Sequence, residues 1–265
     1  MKTLKIYHLG THVKFEVEDL VWCILCTSFN CIATESIDQA DLVIRGVYFG
    51  NTGRNSLRYL KRINGIAQRL LKFKYTSMSN SDTISVRSAL DPGKNKIWIH
   101  LSGEKPNNSS DSSFLNSDCD FGIGHEPIAS SNYFRMPHWY QSIDWSREGF
   151  HRSENAFYRL GKPIQIDELT QGLSSHSMSQ KNGRCALISS HLSSPRDIFV
   201  DEMRKVMPVD IYGLFGDGNP QFRSNQCKRE LLSEYSMVLA PENTLHPGYV
   251  TEKIPEAFAC GAFPV

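Results

Sequence analysis

Residues 240–253, Ala-Pro-Glu-Asn-Thr-Leu-His-Pro-Gly-Tyr-Val-Thr-Glu-Lys, join an apolar segment to a helix-forming one. The apolar residues 237–240 at their start are typical of a buried strand. Pro255 predicts that a helix begins close by, because proline is tolerated in the first turn of a helix. We therefore predict that Thr251 is the N-cap of this helix and that Glu252 and Lys253 project from its first turn.

That first turn would have the features of an anion site. Backbone N–H groups at a helix N-terminus, together with a lysine, are typical of a site for a phosphate or diphosphate. The alternative is a capped helix with two solvated charges. The residues alone leave both interpretations open.

Strands and helices alternate on either side of this segment. The predicted strands are residues 4–9, 40–45, 96–101, 121–124, 185–189, 209–213, 237–240 and 262–265, and the predicted helices are residues 15–29, 54–74, 195–207, 227–234 and 251–260. This alternation is typical of parallel sheets with helical crossovers. We therefore predict an α/β protein with two Rossmann-like lobes. Residues 1–150 form the N-terminal lobe, residues 151–184 a linker or loop, and residues 185–265 the C-terminal lobe.

Composition limits the classes of function. The chain has 265 residues, of which 40% are apolar, and a formal net charge of +1 from 29 basic and 28 acidic residues. No bulk charge therefore attracts it to nucleic acid or to an anionic membrane. No stretch approaches the roughly 18–20 apolar residues that span a bilayer, and the first residues lack the pattern of a signal peptide.

The seven cysteines are scattered and odd in number, which favours reduced thiols. Cys23 and Cys26 lie in an apolar run suited to a buried helix. We interpret them as packing residues, with a metal or redox pair as the alternative.

Several stretches of the chain carry recognisable motifs. The longest consists of Glu242-Asn243, residues 248–254 (Gly-Tyr-Val-Thr-Glu-Lys-Ile), Ala257-Phe258 and residues 261–265 (Gly-Ala-Phe-Pro-Val). Shorter ones are residues 186–191 with Pro195-Arg196, Val-Asp-Ile-Tyr-Gly at 209–213, Ser-Gly-Glu at 102–104, Asp-Phe-Gly-Ile-Gly at 120–124 and Phe-Arg-Met-Pro at 134–137. Together these stretches resemble the α-1,3-fucosyltransferases, and the resemblance covers residues 97–137 and 185–265.

The resemblance implies the two-lobed GT-B architecture, with an acceptor-side N-terminal lobe and a C-terminal lobe that binds GDP-fucose. It implies that Arg196 and Lys253 neutralise the diphosphate and that Asn243, Tyr249 and Glu252 contact ribose, phosphate or fucose. Glu104 would be the base that takes the proton of the acceptor hydroxyl; without the resemblance it would be interpreted as a solvated loop acid. It implies no bound metal and no required cofactor, with a divalent cation at most stimulating.

The implied function is inverting fucosyl transfer from GDP-fucose to an N-acetylglucosamine or lactosamine unit of an oligosaccharide or glycolipid. The linkage would be α-1,3 or α-1,4, in glycan or lipopolysaccharide synthesis. The expected location is the cytoplasm or the periphery of the cytoplasmic membrane, or a Golgi lumen for a piece of a longer eukaryotic-type chain.

Two alternatives remain for the function. One is a transferase of the same fold that uses another GDP-sugar, and the other is a non-catalytic module that binds a nucleotide sugar. Only about 85 residues follow the linker, fewer than a domain usually needs, so we also expect the second lobe to be incomplete.

Other patterns are weaker. Asp118-Cys119-Asp120 has the Asp-x-Asp spacing with which metal-dependent glycosyltransferases hold Mn²⁺ or Mg²⁺, although it follows a serine-rich loop. Gly213, Gly216 and Gly218 form a lone glycine pattern that we interpret as a loop, and the nine histidines show no metal-ligand spacing. Trp98 is interpreted as a core residue, whereas the aromatic group of Trp139, Tyr140 and Trp145 could form an acceptor platform or pack in the core.

Overall fold

A computed structural model of the chain shows two compact units. The first consists of Met1–Pro137 and His246–Tyr249, and the second of His138–Leu245 and Val250–Val265. The residues described are 1–9, 11, 15, 19–46, 95–102, 113–152, 158–175, 181–189, 194–213, 225–243 and 245–265. The helix predicted at 54–74, Glu104, Gly216 and Gly218 lie outside them.

The first unit contains a six-stranded sheet in the order β2-β1-β3-β4-β5-β6, in which every neighbouring pair is parallel. Its strands are β1 (Lys2–Leu9), β2 (Phe29–Ala33), β3 (Leu42–Gly46), β4 (Ile97–Ser102), β5 (Phe121–Gly124) and β6 (Tyr133–Arg135). Helix α1 (Leu20–Ser28) leads directly into β2. Short 3₁₀ turns cover Ile37–Gln39 and Phe114–Asn116.

The core of the first unit lies along the central strands. All five residues of β3 are buried, as expected for a parallel strand covered on both faces. Trp98 is fully buried against Tyr7, Leu9, Ala40 and Val43, which confirms its interpretation as a core residue. Cys23 is buried in α1, and Cys23, Cys26, Cys31, Cys119, Cys185 and Cys260 are free thiols.

The second unit contains a four-stranded parallel sheet in the order β10-β9-β7-β8. Its strands are β7 (Cys185–Ile188), β8 (Val209–Tyr212), β9 (Met237–Leu239) and β10 (Phe263–Pro264). Its helices are α2 (Ile166–Ser175), α3 (Arg196–Arg204), α4 (Asn225–Ser233) and α5 (Lys253–Ala259), with 3₁₀ turns at His138–Ser142 and Ser146–Glu148.

Both faces of this second sheet are covered. Cys185, Leu187 and Leu239 pack with Val200 of α3 on one face. Ala186 and Val238 pack on the other face with Leu232 of α4 and Ala257 of α5. Alternate residues of each strand therefore face opposite helical layers, as strand geometry requires.

Residues 158–175 do not form the linker or loop that the sequence suggested. They contain α2, and Leu160 and Ile164 are buried in the same core as Ala257. Ile143 and Ile164 also form a parallel bridge. Ile166 and Leu169 of α2 pack against the same core, so the helix is stabilised by its apolar face.

Candidate functional site

Glu242 lies in the segment between β9 and α5 and binds residues at the far end of that segment. Its carboxylate accepts hydrogen bonds from the Thr251 backbone N–H (2.6 Å), the Thr251 hydroxyl (2.8 Å) and the Lys253 ammonium (2.8 Å). Thr251 is therefore not the N-cap that the sequence predicted. Helix α5 begins at Lys253, its N-cap is Glu252, and no side chain caps it. The Thr251 hydroxyl donates to the carboxylate of Glu242 instead of capping the helix.

Lys253 is held by the same group. Its Nζ atom also lies 2.7 Å from the Thr251 hydroxyl oxygen. Charge-assisted hydrogen bonds of this kind are roughly twice as strong as neutral ones. The ammonium therefore has a defined place beside the end of β9.

Arg196 is brought to the residue next to Glu242. It is the first residue of α3 and is buried. Its guanidinium donates to the Ser189 hydroxyl (2.9 Å) and to the Asn243 side-chain oxygen. The structure thus joins Arg196 to Asn243, which the resemblance placed at a common site.

These contacts lie where parallel strands end. Ser189 follows β7, and Asn243 follows its neighbour β9. Ligands of α/β folds bind at the carboxyl ends of such strands. Gly213 permits the close packing here: it has φ +113°, and a Cβ atom would lie 2.1 Å from the Ser189 carbonyl oxygen.

Glu252 is almost fully buried, at 3% exposure, and lies between the side chains of Arg159 and His138. Its Oε1 atom is 3.1 Å from Arg159 Nη1, and its Oε2 atom is 3.6 Å from His138 Nδ1. Burial alone would raise the pKa of Glu252, but His138 and the charges of Arg159 and Lys253 hold it well below its ordinary value. The carboxylate is therefore ionised inside the unit.

One helical turn further, Glu256 is also buried and forms an ion pair with Lys228 of α4. Burial raises the pKa of Glu256, and the negative charge of Glu252 acts in the same direction against the charge of Lys228. The Glu256 backbone N–H donates to the Glu252 carbonyl oxygen (2.9 Å). Two buried carboxylates thus anchor α5 through cations on other elements.

Tyr249 belongs to the first unit. Its buried ring meets the ring of His125 edge to face, with centroids 5.2 Å apart, and His246 packs on the same imidazole at 5.4 Å. Gly248 has φ +76°, and a Cβ atom there would lie 2.3 Å from the His125 carbonyl oxygen. Only glycine allows this approach without displacement of the backbone.

Part of the chain is similar to a known protein family. Residues 178–265 match the family model described as glycosyltransferase family 10 (fucosyltransferase), C-terminal. The matched stretch contains Arg196, Glu242, Asn243, Glu252 and Lys253.

Two curated proteins are similar to the chain. It is 28% identical to the α-(1,3)-fucosyltransferase FucT of Helicobacter pylori over 160 residues, which are 55% of this chain and 33% of that protein. It is 35% identical to the GDP-fucose protein O-fucosyltransferase 3 of Xenopus laevis over 80 residues, which are 27% of this chain and 17% of that protein. The chain thus spans a third or less of these relatives.

Solved structures share the fold. A crystal structure of an α1,3-fucosyltransferase matches with a TM-score of 0.58 at 20% identity, covering 100% of this chain and 67% of that one. A crystal structure of an α1,3-fucosyltransferase with GDP-fucose matches at 0.58 and 21% identity, covering 100% and 68%. The likeness confirms the predicted α/β class with two Rossmann-like parallel sheets.

The alternative motifs have structural roles. In the first unit, Asp118 pairs with Arg45 (3.5 Å), and Asp120 accepts a hydrogen bond from the Trp98 backbone N–H (2.8 Å). Across the described ranges, no group of three or more His, Cys, Asp or Glu side chains could hold a metal ion. No helix in the described part of the chain is long and apolar enough to cross a membrane.

The aromatic group of Trp139, Tyr140 and Trp145 is half-buried. Trp139 and Trp145 pack against the core that contains Ile143 and Ala257, and the Trp145 indole N–H donates to the Tyr140 carbonyl oxygen (2.8 Å). This contact supports the packing interpretation of the group.

Sequence reasoning missed three residues of the site. Glu242 lies in the quoted motif, but its role as an acceptor for Thr251 and Lys253 depends on the return of the chain nine residues later. His138 directly follows the Phe-Arg-Met-Pro motif, which was the only signal near it. Arg159 lies in a polar stretch with no motif, so only the fold reveals its contact with Glu252.

Proposed function

We propose that this protein transfers a fucosyl group from GDP-fucose to a saccharide hydroxyl, with inversion at the anomeric carbon. The observation that carries the proposal is the pairing of Arg196 and Lys253 with the consecutive residues Asn243 and Glu242, inside the stretch that matches the family 10 model. Both cations therefore lie next to the carboxyl end of β9, where a diphosphate would be bound.

The two cations suit the departure of GDP. As the bond between fucose and the β-phosphate breaks, negative charge grows on the diphosphate, so fixed cations stabilise the transition state more than the ground state. Arg196 is buried, and solvent screens its charge less than it screens a surface charge. We propose that these side chains make a metal unnecessary and that a divalent cation at most stimulates. Equal rates with and without a chelator would support this.

Glu104 is the proposed base. In a single displacement, the acceptor oxygen attacks the anomeric carbon from the side opposite GDP, its proton passes to the Glu104 carboxylate, and GDP leaves. A positioned carboxylate accelerates such a step by roughly 10²–10⁴-fold. In the sequence, Glu104 comes two positions after Ser102, the last residue of β4.

The proposed acceptor is an N-acetylglucosamine or lactosamine unit on an oligosaccharide or glycolipid, as in glycan or lipopolysaccharide synthesis. The Xenopus relative is named as a protein O-fucosyltransferase, so a protein serine or threonine is the second acceptor class to test. For the location we propose the cytoplasm or the cytoplasmic membrane surface, which fractionation of source cells would test.

A donor and acceptor panel tests the proposal. Purified residues 1–265 are incubated with GDP-fucose, GDP-mannose or another GDP-deoxy sugar, each with lactosamine, a glycolipid or an unmodified peptide, and GDP release and product mass are measured. Acceptor-dependent release from GDP-fucose supports the proposal. Transfer only from another donor would indicate a transferase of the same fold that uses another GDP-sugar. GDP binding without turnover would indicate a non-catalytic binding module.

A further inference from the structure

Arg159 is presented to Glu252 by an anchored turn. The Gly161 backbone N–H donates to the Tyr158 carbonyl oxygen (2.9 Å), and the neighbouring Leu160 is buried in the core of the second unit. The Arg152 guanidinium lies 4.6 Å from the centroid of the Tyr158 ring. The position of Arg159 is therefore set by packing on both sides of it.

The two partners differ sharply in exposure. The Arg159 side chain is 57% exposed, whereas that of Glu252 is 4% exposed. Nη1 of Arg159 lies on one oxygen of Glu252, but a guanidinium carries five N–H donors in a fixed fork. More than half of the Arg159 side chain is therefore exposed, and one of its nitrogens lies against a buried anion.

The charge of Arg159 acts on the same carboxylate as that of Lys253. Glu252 and Lys253 are consecutive, and Lys253 donates a hydrogen bond to Glu242. The next residue in the chain, Asn243, accepts a hydrogen bond from Arg196. Arg159 therefore extends the set of cations that includes Arg196 and Lys253. A planar guanidinium matches two phosphate oxygens better than an ammonium does.

We propose that Arg159 is a further donor-binding residue, whose guanidinium, oriented by Glu252, contacts the diphosphate of the nucleotide-sugar donor. The inference rests on the proposed function, because it assumes a nucleoside diphosphate at Arg196 and Lys253. In this arrangement Glu252 acts as the anchor of Arg159, and the buried carboxylate has its charge balanced before the donor arrives.

The test compares GDP with guanosine, which has no phosphate, by titration calorimetry on residues 1–265. Arg159→Ala is expected to lower GDP affinity by about 10- to 100-fold, the range for hydrogen bonds to charged groups, and to leave guanosine affinity unchanged. The matched control is Arg147→Ala. That side chain is 66% exposed and pairs with Asp167 at 3.1 Å in the same unit, and its removal is expected to change neither affinity.

The second variant covers the case in which Arg159→Ala does not fold. Arg159→Lys keeps a charge beside Glu252 and is expected to give an intermediate loss of GDP affinity. Unchanged GDP affinity in the folded variants, or equal losses for GDP and guanosine, would overturn the role of Arg159. If the unaltered protein binds neither ligand, the proposed function itself fails, so the two failures are distinct.

Discussion

Lys253 Nζ lies 2.8 Å from Oε2 of Glu242, a residue eleven positions earlier in the chain. The same carboxylate binds the backbone and hydroxyl of Thr251, so one side chain fixes both the path of the chain into α5 and the place of the lysine. Position 242 therefore combines a structural task with the placement of a proposed donor-binding group.

Replacing Glu242 with Gln is expected to destabilise the second unit. The amide removes the charge that holds Lys253 and one acceptor oxygen, and lost hydrogen bonds to charged groups cost about 1–3 kcal/mol. The measurement is the free energy of unfolding in urea. Glu202→Gln is the control, because its ion pair with Lys205 is exposed and contributes at most about 1 kcal/mol. Equal losses in the two variants would argue against the structural task of Glu242.

Glu252 is expected to make stability depend on pH. The folded-state pKa of Glu252 is lowered from its ordinary value of 4.5, so its contribution is fully present above that pH. It is then lost as pH falls toward the folded pKa, by up to about 1.4 kcal/mol per pH unit. Glu252→Gln does not titrate, so the difference in unfolding free energy between the two proteins should shrink from pH 5 to pH 3.5. The lowered pKa values of Asp144 and Asp210 cancel in this difference, and a constant difference would contradict the prediction.

Arg196→Met is expected to lower GDP affinity at least about tenfold, because it removes a cation from the proposed diphosphate site. Arg204→Met, at the exposed end of the same helix α3, should leave the affinity unchanged. Titration calorimetry gives the affinities, and a melting curve for each variant checks folding. Arg196→Lys retains a charge and should lose less affinity. If Arg196→Met bound GDP as the unaltered protein does, the assignment of Arg196 would be wrong.

Glu104→Gln is expected to lower turnover by about 10²–10⁴-fold, the usual contribution of a general base. GDP affinity should be retained, since the proposed role concerns the acceptor proton. Turnover is measured as acceptor-dependent GDP release, with Glu148→Gln, an exposed acid, as the control. Full turnover of Glu104→Gln would remove Glu104 from the mechanism.

Gly248→Ala is expected to destabilise the protein more than Gly149→Ala. Both glycines have positive φ, +76° and +85°, but a Cβ atom at 248 would meet the His125 carbonyl oxygen, whereas one at 149 meets nothing within 4 Å. The left-handed conformation alone costs about 1–2 kcal/mol for a residue with a Cβ atom. The excess loss in Gly248→Ala therefore measures the contact with His125, and equal melting temperatures of the two variants would contradict that contact.

The sequence predicted what depends on local pattern. Apolar runs such as residues 96–101 and 185–189 correspond to β4 and β7, and their alternation with helices predicted parallel sheets. Strand β2 was missed because α1 runs into it at Ser28–Phe29 with no glycine or proline to mark the junction. The helix Ile166–Ser175 was missed because its short apolar face, which includes Ile166 and Leu169, lies in a mostly polar stretch.

The site followed the same division. The resemblance predicted Arg196, Asn243, Tyr249, Glu252 and Lys253 as donor-binding residues, and the structure shows that Arg196 and Asn243 are hydrogen-bonded. It could not identify Arg159 or His138, because the charge pairing of Glu252 joins segments that are far apart in sequence. Thr251 is not the N-cap for a related reason, because its hydroxyl donates to Glu242, nine residues earlier in the chain.

Because of the four residues His246–Tyr249, the first unit consists of two separate segments of the chain. These four residues belong to the first unit, although the residues on both sides of them belong to the second. No single position in the coding sequence therefore separates the first unit from the second. A hybrid that exchanged the first unit for that of a relative would have to exchange this tetrapeptide as well, or Gly248 would face a foreign His125 loop. Recombination at one junction is therefore expected to give mismatched proteins, even though each unit has its own sheet.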